Sequence, residues 1–161
     1  MVFALVWGSV IAVPTANAAD HHTIVVTFVR HGESAANAAG IIDTAVPGPD
    51  LTELGNQQAQ RVADELSVNR YDGIYASTVV RTQETAAPTS QALGEGITVL
   101  PGLREIDAGS NEGLSVADAP VYPAPRVWLT GDLSARIPGA ISGTEFEARF
   151  NDAMNTIYGS G

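Results

Sequence analysis

The pentapeptide Arg30-His31-Gly32-Glu33-Ser34 follows at once on the apolar, β-branched run Ile24-Val25-Val26-Thr27-Phe28-Val29. A neutral imidazole is a good nucleophile toward phosphorus. By forming a covalent intermediate, a histidine can split one difficult displacement into two easier ones. It needs its other ring nitrogen held by a hydrogen bond, which fixes the tautomer. Gly32 lets the backbone approach both ring and ligand. Arg30 adjoins His31, and Arg81 lies in Ser77-Thr78-Val79-Val80-Arg81-Thr82. Two guanidinium groups converging on His31 would grip a phosphoryl group in bidentate fashion. Leu103-Arg104-Glu105-Ile106-Asp107 adds two carboxyl groups. Either Glu105 or Asp107 could protonate a leaving alkoxide; the alternative is that both only pair with Arg104. His21 and His22 read as solvated residues ahead of the first element.

These residues can act together only if the fold gathers them. Ile24–Val29 reads as a buried strand, with the His31 loop leaving its C-terminal end. In open α/β sheets that edge is where ligands bind. A short helix is expected within the Ala-rich 34–39 stretch, then a loop marked by Pro47-Gly48-Pro49-Asp50. Thr52 is an N-cap for a helix over 53–66, with Leu54, Ala59, Val62, Ala63 and Leu66 on one face. Residues 73–76 form a second strand, and Arg81 falls just beyond it. A helix follows over 79–93, which Pro88 should kink or divide and Gly94 should stop. Residues 97–100 form a third strand, and Glu105 falls just beyond that. Successive β-α-β units indicate a parallel sheet.

Regular periodicity is lost from Pro101 to Gly143, with Tyr122 and Trp128 as anchors. An insert of this length is usually a lid or binding loop; the alternative is a set of short helices. The last element is a helix entered by a capping box at Thr144-Glu145-Phe146-Glu147, with Phe146, Phe150, Ala153, Met154 and Ile157 on one face.

The chain has 161 residues, 45% hydrophobic and 16% charged, enough for one globular domain. Its net charge of −10 argues against nonspecific nucleic-acid binding. All 8 basic residues are arginine, so clustered guanidinium groups carry more meaning here than usual. The absence of cysteine excludes disulfides, thiolate metal sites and cysteine nucleophiles. Residues 2–13 are apolar apart from Gly8 and Ser9, and Ala16-Asn17-Ala18 offers an A-x-A cleavage site. The expectation is a signal peptide over 1–18, an exported protein, and a domain over 19–161. The run is too short for a membrane span of about 20 residues.

Arg30-His31-Gly32-Glu33-Ser34 with Asn37 resembles the signature of the histidine phosphatase superfamily, the phosphoglycerate mutase-like proteins. Further blocks match in order. Asp50-Leu51-Thr52-Glu53-Leu54-Gly55 resembles the family's entry to its first long helix. Ser77-x-x-x-Arg81-Thr82-x-Glu84-Thr85-Ala86 and Leu103-Arg104-Glu105-Ile106, with Gly109 and Glu112-Gly113, resemble two more blocks. Residues 139–146 resemble the entry to a later helix. The resemblance implies a three-layer αβα sandwich around a mostly parallel sheet. It implies His31 as the phosphorylated nucleophile, Arg30 and Arg81 on the phosphoryl oxygens, and Asn37 on substrate or phosphate. Glu105 would be the proton donor and later the base for water. No metal and no organic cofactor are implied; the partner would be a phosphorylated small molecule.

One departure bears on activity. The family completes its phosphate pocket with a second histidine after a late strand that pairs beside the first. No histidine follows His31 here, and the sequence reads as an incomplete copy of the domain, with C-terminal strands missing. A lost preorganised donor is typically worth about 3 kcal/mol of transition-state stabilisation. The leading expectation is phosphomonoester hydrolysis through a phosphohistidine. The alternatives are mutase-type phosphoryl transfer and a non-catalytic phosphate-binding protein. The export signal and the arginine-poor insert both argue against the mutase.

Overall fold

The computed structural model describes residues 23–160; the expected signal peptide, His21 and His22 lie outside the described residues. Ser34 caps helix α1 (Ala35–Ala39), and its hydroxyl accepts from the Asn37 amide. Thr52 caps α2 (Glu53–Leu66), as its position before the periodic stretch predicts. Strands β1 (Ile74–Ala76) and β2 (Ile97–Val99) pair in parallel, Tyr75 opposite Thr98, with α3 (Val80–Leu93) as the crossover. The architecture is mixed α/β with a small parallel sheet.

Helix α3 runs through Pro88 without dividing. Its Arg81, Thr85 and Thr89 are buried at intervals of four, and the helix packs against α2, so tertiary contact outweighs the lost backbone bond. The buried residues of α2 are Gly55, Ala59 and Ala63, again at intervals of four. Of the expected apolar face, Ala59 and Ala63 are buried and Val62 and Leu66 half-buried; Leu54 alone departs from it. Leu54 is 45% exposed.

Between Pro101 and Gly143 the chain makes 3-10 turns at Pro101–Leu103 and Gly109–Asn111 and a short helix, α4 (Ala124–Trp128). The insert is a set of short helical pieces. Helix α5 spans Gly143–Tyr158 and starts earlier than expected. Its capping box is Ser142 with Glu145: the Ser142 hydroxyl accepts from the Glu145 amide at 3.3 Å, and the Glu145 carboxylate accepts from the Ser142 amide at 2.8 Å. Trp128 stacks on Phe146 (centroids 5.7 Å apart), Phe146 on Phe150 (6.2 Å) and Phe150 on Phe28 (6.5 Å), which ties the insert to the N-terminal segment.

The expected first strand is the main difference. Among the described residues Ile24–Val29 joins no β-ladder, and Val25 is 90% and Phe28 69% exposed. The physical reason is the lack of a neighbour. A cleft of about 970 Å³ has both Thr23–Val29 and Ile74–Ala76 among its walls, so the run borders β1 across open space. Strand propensity is realised only against a pairing partner.

Candidate active site

His31 sits at the end of that N-terminal run, half-buried, in a loop fastened from two sides. The Gly32 amide donates to Thr85 Oγ1 at 2.9 Å, and the Glu33 amide donates to Gln58 Oε1 at 2.8 Å. The Thr52 amide donates back to the Glu33 carbonyl at 2.9 Å. Gly32 and Gly55 make this approach possible. A Cβ on Gly32 would stand 2.5 Å from the Gly55 carbonyl oxygen, and one on Gly55 would collide with that of Glu33.

The imidazole is oriented at both nitrogens. Nδ1 lies 2.7 Å from the Gly32 carbonyl, which only accepts, so Nδ1 carries the proton and Nε2 the lone pair. Arg81 Nε donates to Nε2 at 3.1 Å. Burial is the largest influence on the ring and lowers its pKa from the ordinary 6.5. The Gly32 hydrogen bond opposes it, Arg81 reinforces it, Glu105 opposes it and Arg30 reinforces it; the net shift is downward. The resting state is therefore the neutral imidazole a nucleophile requires.

Arg81 is 3% exposed, deep for a guanidinium. Its Nη2 donates to the Asp43 carbonyl at 3.2 Å and lies 3.5 Å from Glu105 Oε2. Its Nη1 is buried without a hydrogen-bond partner among the described residues, as is Asp43 Oδ1. A buried guanidinium with an unused donor has capacity for an anionic oxygen.

The geometry separates the two carboxyl candidates. Asp107 is held by Arg104 in a close ion pair and lies 3.8 Å from Arg149 Nη1. Glu105, 60% exposed, instead faces Arg81. Arg149 also donates to the Arg104 carbonyl at 3.1 Å and the Glu105 carbonyl at 2.8 Å, which fixes this segment's backbone. Gly102 allows that contact, since a Cβ there would collide with the Arg149 carbonyl oxygen.

Arg30 and Asn37 line a neighbouring cleft of about 510 Å³ with His31, Glu33, Ile41, Gln58 and Val116. Arg30 is exposed. Asn37 also serves α1, where its Oδ1 accepts from the Ser34 amide at 3.1 Å and closes the capping box. The structure thus brings together His31, Arg81 and Glu105, and sets Arg30 and Asn37 on the adjoining cleft wall.

The sequence pattern gives no role to Thr85, which it shows only within a matching block, and does not single out Arg149 or Asp43. Thr85 was discoverable, lying four residues after Arg81 on the same helical face. Arg149 is the one basic residue of a distant helix. Asp43 reaches Arg81 only through its carbonyl, which no side-chain pattern signals.

The chain is similar to known proteins over most of its length. The family model "Histidine phosphatase superfamily (branch 1)" matches residues 26–160. The chain is 44% identical over 148 residues to PE-PGRS family protein PE_PGRS11 of Mycobacterium tuberculosis, covering 84% of this chain and 25% of that protein. It is 34% identical over 135 residues to the probable phosphoglycerate mutase GpmB of Yersinia pestis, covering 81% and 61%. A mycobacterial glucosyl-3-phosphoglycerate phosphatase solved with VO3 superposes with a TM-score of 0.67 at 27% identity, covering 81% and 65%. The chain therefore spans a quarter to under two thirds of the length of these relatives. Because that family model covers residues 26–160, a stretch that includes His31, Arg81 and Glu105, the chain belongs to the histidine phosphatase superfamily, branch 1.

Proposed function

We propose that the chain hydrolyses phosphomonoesters through a phosphohistidine on His31. The observation that carries this reading is the oriented ring: an Nε2 lone pair 3.1 Å from the Nε of a buried arginine whose Nη1 has no partner among the described residues. In the first step Nε2 attacks phosphorus and the phosphorus–ester oxygen bond breaks. Glu105, a carboxylate in the resting site, takes the proton that the phosphomonoester monoanion brings and gives it to the departing alkoxide. Arg81 exchanges its contact with the ring for the phosphoryl oxygens, and Arg30 approaches them from the exposed side. In the second step Glu105, again a carboxylate, takes a proton from water. The oxygen attacks phosphorus, the N–P bond breaks, and inorganic phosphate leaves with His31 restored.

Mutase-type transfer and phosphate binding without turnover are the competing readings. The test is phosphate release from p-nitrophenyl phosphate. Wild-type protein is expected to turn over, and His31→Ala to lose at least about a thousandfold, as loss of an essential nucleophile does. Interconversion of 2- and 3-phosphoglycerate without free phosphate would establish the mutase. Phosphate binding with no turnover of either kind would establish the non-catalytic reading.

A further inference from the structure

We infer that Glu112 is a positioning residue for the site: it clamps the 43–45 segment so that the Asp43 carbonyl holds Arg81 against His31. The inference rests on the reading of His31 and Arg81 as the reacting pair.

Glu112 closes the 3-10 turn Gly109–Asn111, far in sequence from the His31 loop. Its carboxylate nevertheless accepts four contacts from one short segment. The Thr44 amide donates to Oε1 at 2.9 Å and to Oε2 at 3.1 Å, the Thr44 hydroxyl to Oε2 at 2.6 Å, and the Ala45 amide to Oε1 at 3.2 Å. The Thr44 oxygen also accepts from the Ala108 amide at 2.9 Å, so both ends of the turn grip the same residue. Backbone bonds from Ile42 to Leu114 and from Gly113 to Ile42, each 2.9 Å, fasten the segment on its other side.

The next link is direct. Asp43 immediately precedes Thr44, and its carbonyl accepts from Arg81 Nη2 at 3.2 Å. Arg81 Nε then donates to His31 Nε2. The guanidinium therefore has three neighbours in balance: a neutral carbonyl, the His31 ring, and the Glu105 carboxylate at 3.5 Å. If the carbonyl withdraws, Nη2 loses its neutral acceptor and the attraction of Glu105 goes unopposed. That draws the guanidinium off Nε2. Planar donors act at fixed angles, so a small displacement costs much of the grip on a phosphoryl group.

The donor count also explains why a carboxylate is required. Three donors (two amides and a hydroxyl) point at its two oxygens. A glutamine would turn an NH2 group toward one of these donors, leaving it unpaired. Partial burial pushes the Glu112 carboxyl upward in pKa, but the bonds from Thr44 and Ala45 and the charge of Arg81 pull harder, and it stays below its ordinary value. It is ionised at neutral pH and tied electrostatically to Arg81.

The test compares wild type, Glu112→Gln and Glu112→Asp by three measurements: p-nitrophenyl phosphate kinetics, thermal unfolding, and NMR titration of His31, assigned by loss of its signal in His31→Ala. Glu112→Gln is expected to lose about tenfold or more in kcat/KM, and Glu112→Asp to recover part of it. The His31 pKa is expected to rise toward its ordinary value in Glu112→Gln. The sign is diagnostic. Arg30, Arg81 and Glu105 are the charged groups facing the ring. Deleting a negative charge lowers an imidazole pKa, whereas withdrawal of Arg81 raises it. An unchanged or lowered His31 titration in Glu112→Gln overturns the proposal, and so does a loss that tracks only a fall in Tm without recovery by aspartate. If wild-type protein turns over nothing, the hydrolase reading fails, and the His31 titration alone then decides the role of Glu112.

Discussion

His31 is the residue on which acid behaviour turns. Its pKa lies below 6.5 because burial, the largest influence, and the nearby Arg81 and Arg30 disfavour the charged ring. A group depressed on folding binds fewer protons in the native state than in the unfolded one. Its contribution to stability is therefore complete above about pH 6.5 and falls as pH drops from there through the folded value. Activity should follow the same titration. The acidic limb of kcat/KM for p-nitrophenyl phosphate is expected to have its midpoint below pH 6.5, and a midpoint at or above that value would contradict the buried, neutral imidazole. Residue types alone left Glu105 and Asp107 equivalent, both being carboxylates beside Arg104. The family resemblance favours Glu105, and the approach of Arg149 from a distant helix separates the two in space, joining Arg104 around Asp107 while Glu105 faces Arg81.

At the scale of elements, the site depends on how closely helices approach loops. Helix α2 reaches the His31 loop through Gly55, whose absent side chain leaves room for the Glu33 carbonyl. Both partners at that contact are backbone, so neither can swing aside. Gly55→Ala is expected to cost about 1–3 kcal/mol, as overpacking typically does, lowering Tm and displacing the loop that carries His31. Thermal unfolding of the variant measures this; an unchanged Tm would mean that helix and loop can separate without cost. Helix α3 serves the same loop differently, with Thr85 accepting from the Gly32 amide and donating to the Arg81 carbonyl at 2.7 Å. One hydroxyl thus couples the backbone beside His31 to the backbone of Arg81.

For the whole molecule, the open feature is the space bordering β1. Strand β1 pairs with β2 on one side, and the Leu100 amide donates to the Ala76 carbonyl at 2.8 Å. Thr23–Val29, which carries His31 at its end, joins no ladder among the described residues. Hydrogen exchange should report the contrast. Amides of Ile24–Val29 are expected to exchange far faster than the Leu100 amide; equal protection would show that the run is paired in solution. The consequence for the site is direct, since His31 is then held by its loop contacts to α2 and α3 and not by a ladder behind it. No helix among the described residues is long and apolar enough to cross a membrane.

The amino-acid sequence by itself determined the family and the elements carrying strong local signals. Thr52 before an amphipathic stretch, glycine after Leu93 and the Arg-His-Gly motif are all chemistry confined to a few adjacent residues. The pairing of His31 with Arg81 was legible too, because each falls at the end of an apolar run. What only the tertiary structure decided depends on atoms that meet from distant parts of the chain. Strand propensity at Ile24–Val29 does not become a strand without a partner. The proline in α3 does not break a helix that packing holds. The carbonyl of Asp43 reaches Arg81 through backbone geometry, which leaves no trace in residue type, and Glu112, visible in the sequence only as part of a motif, meets Thr44 and Ala45 only in the folded chain.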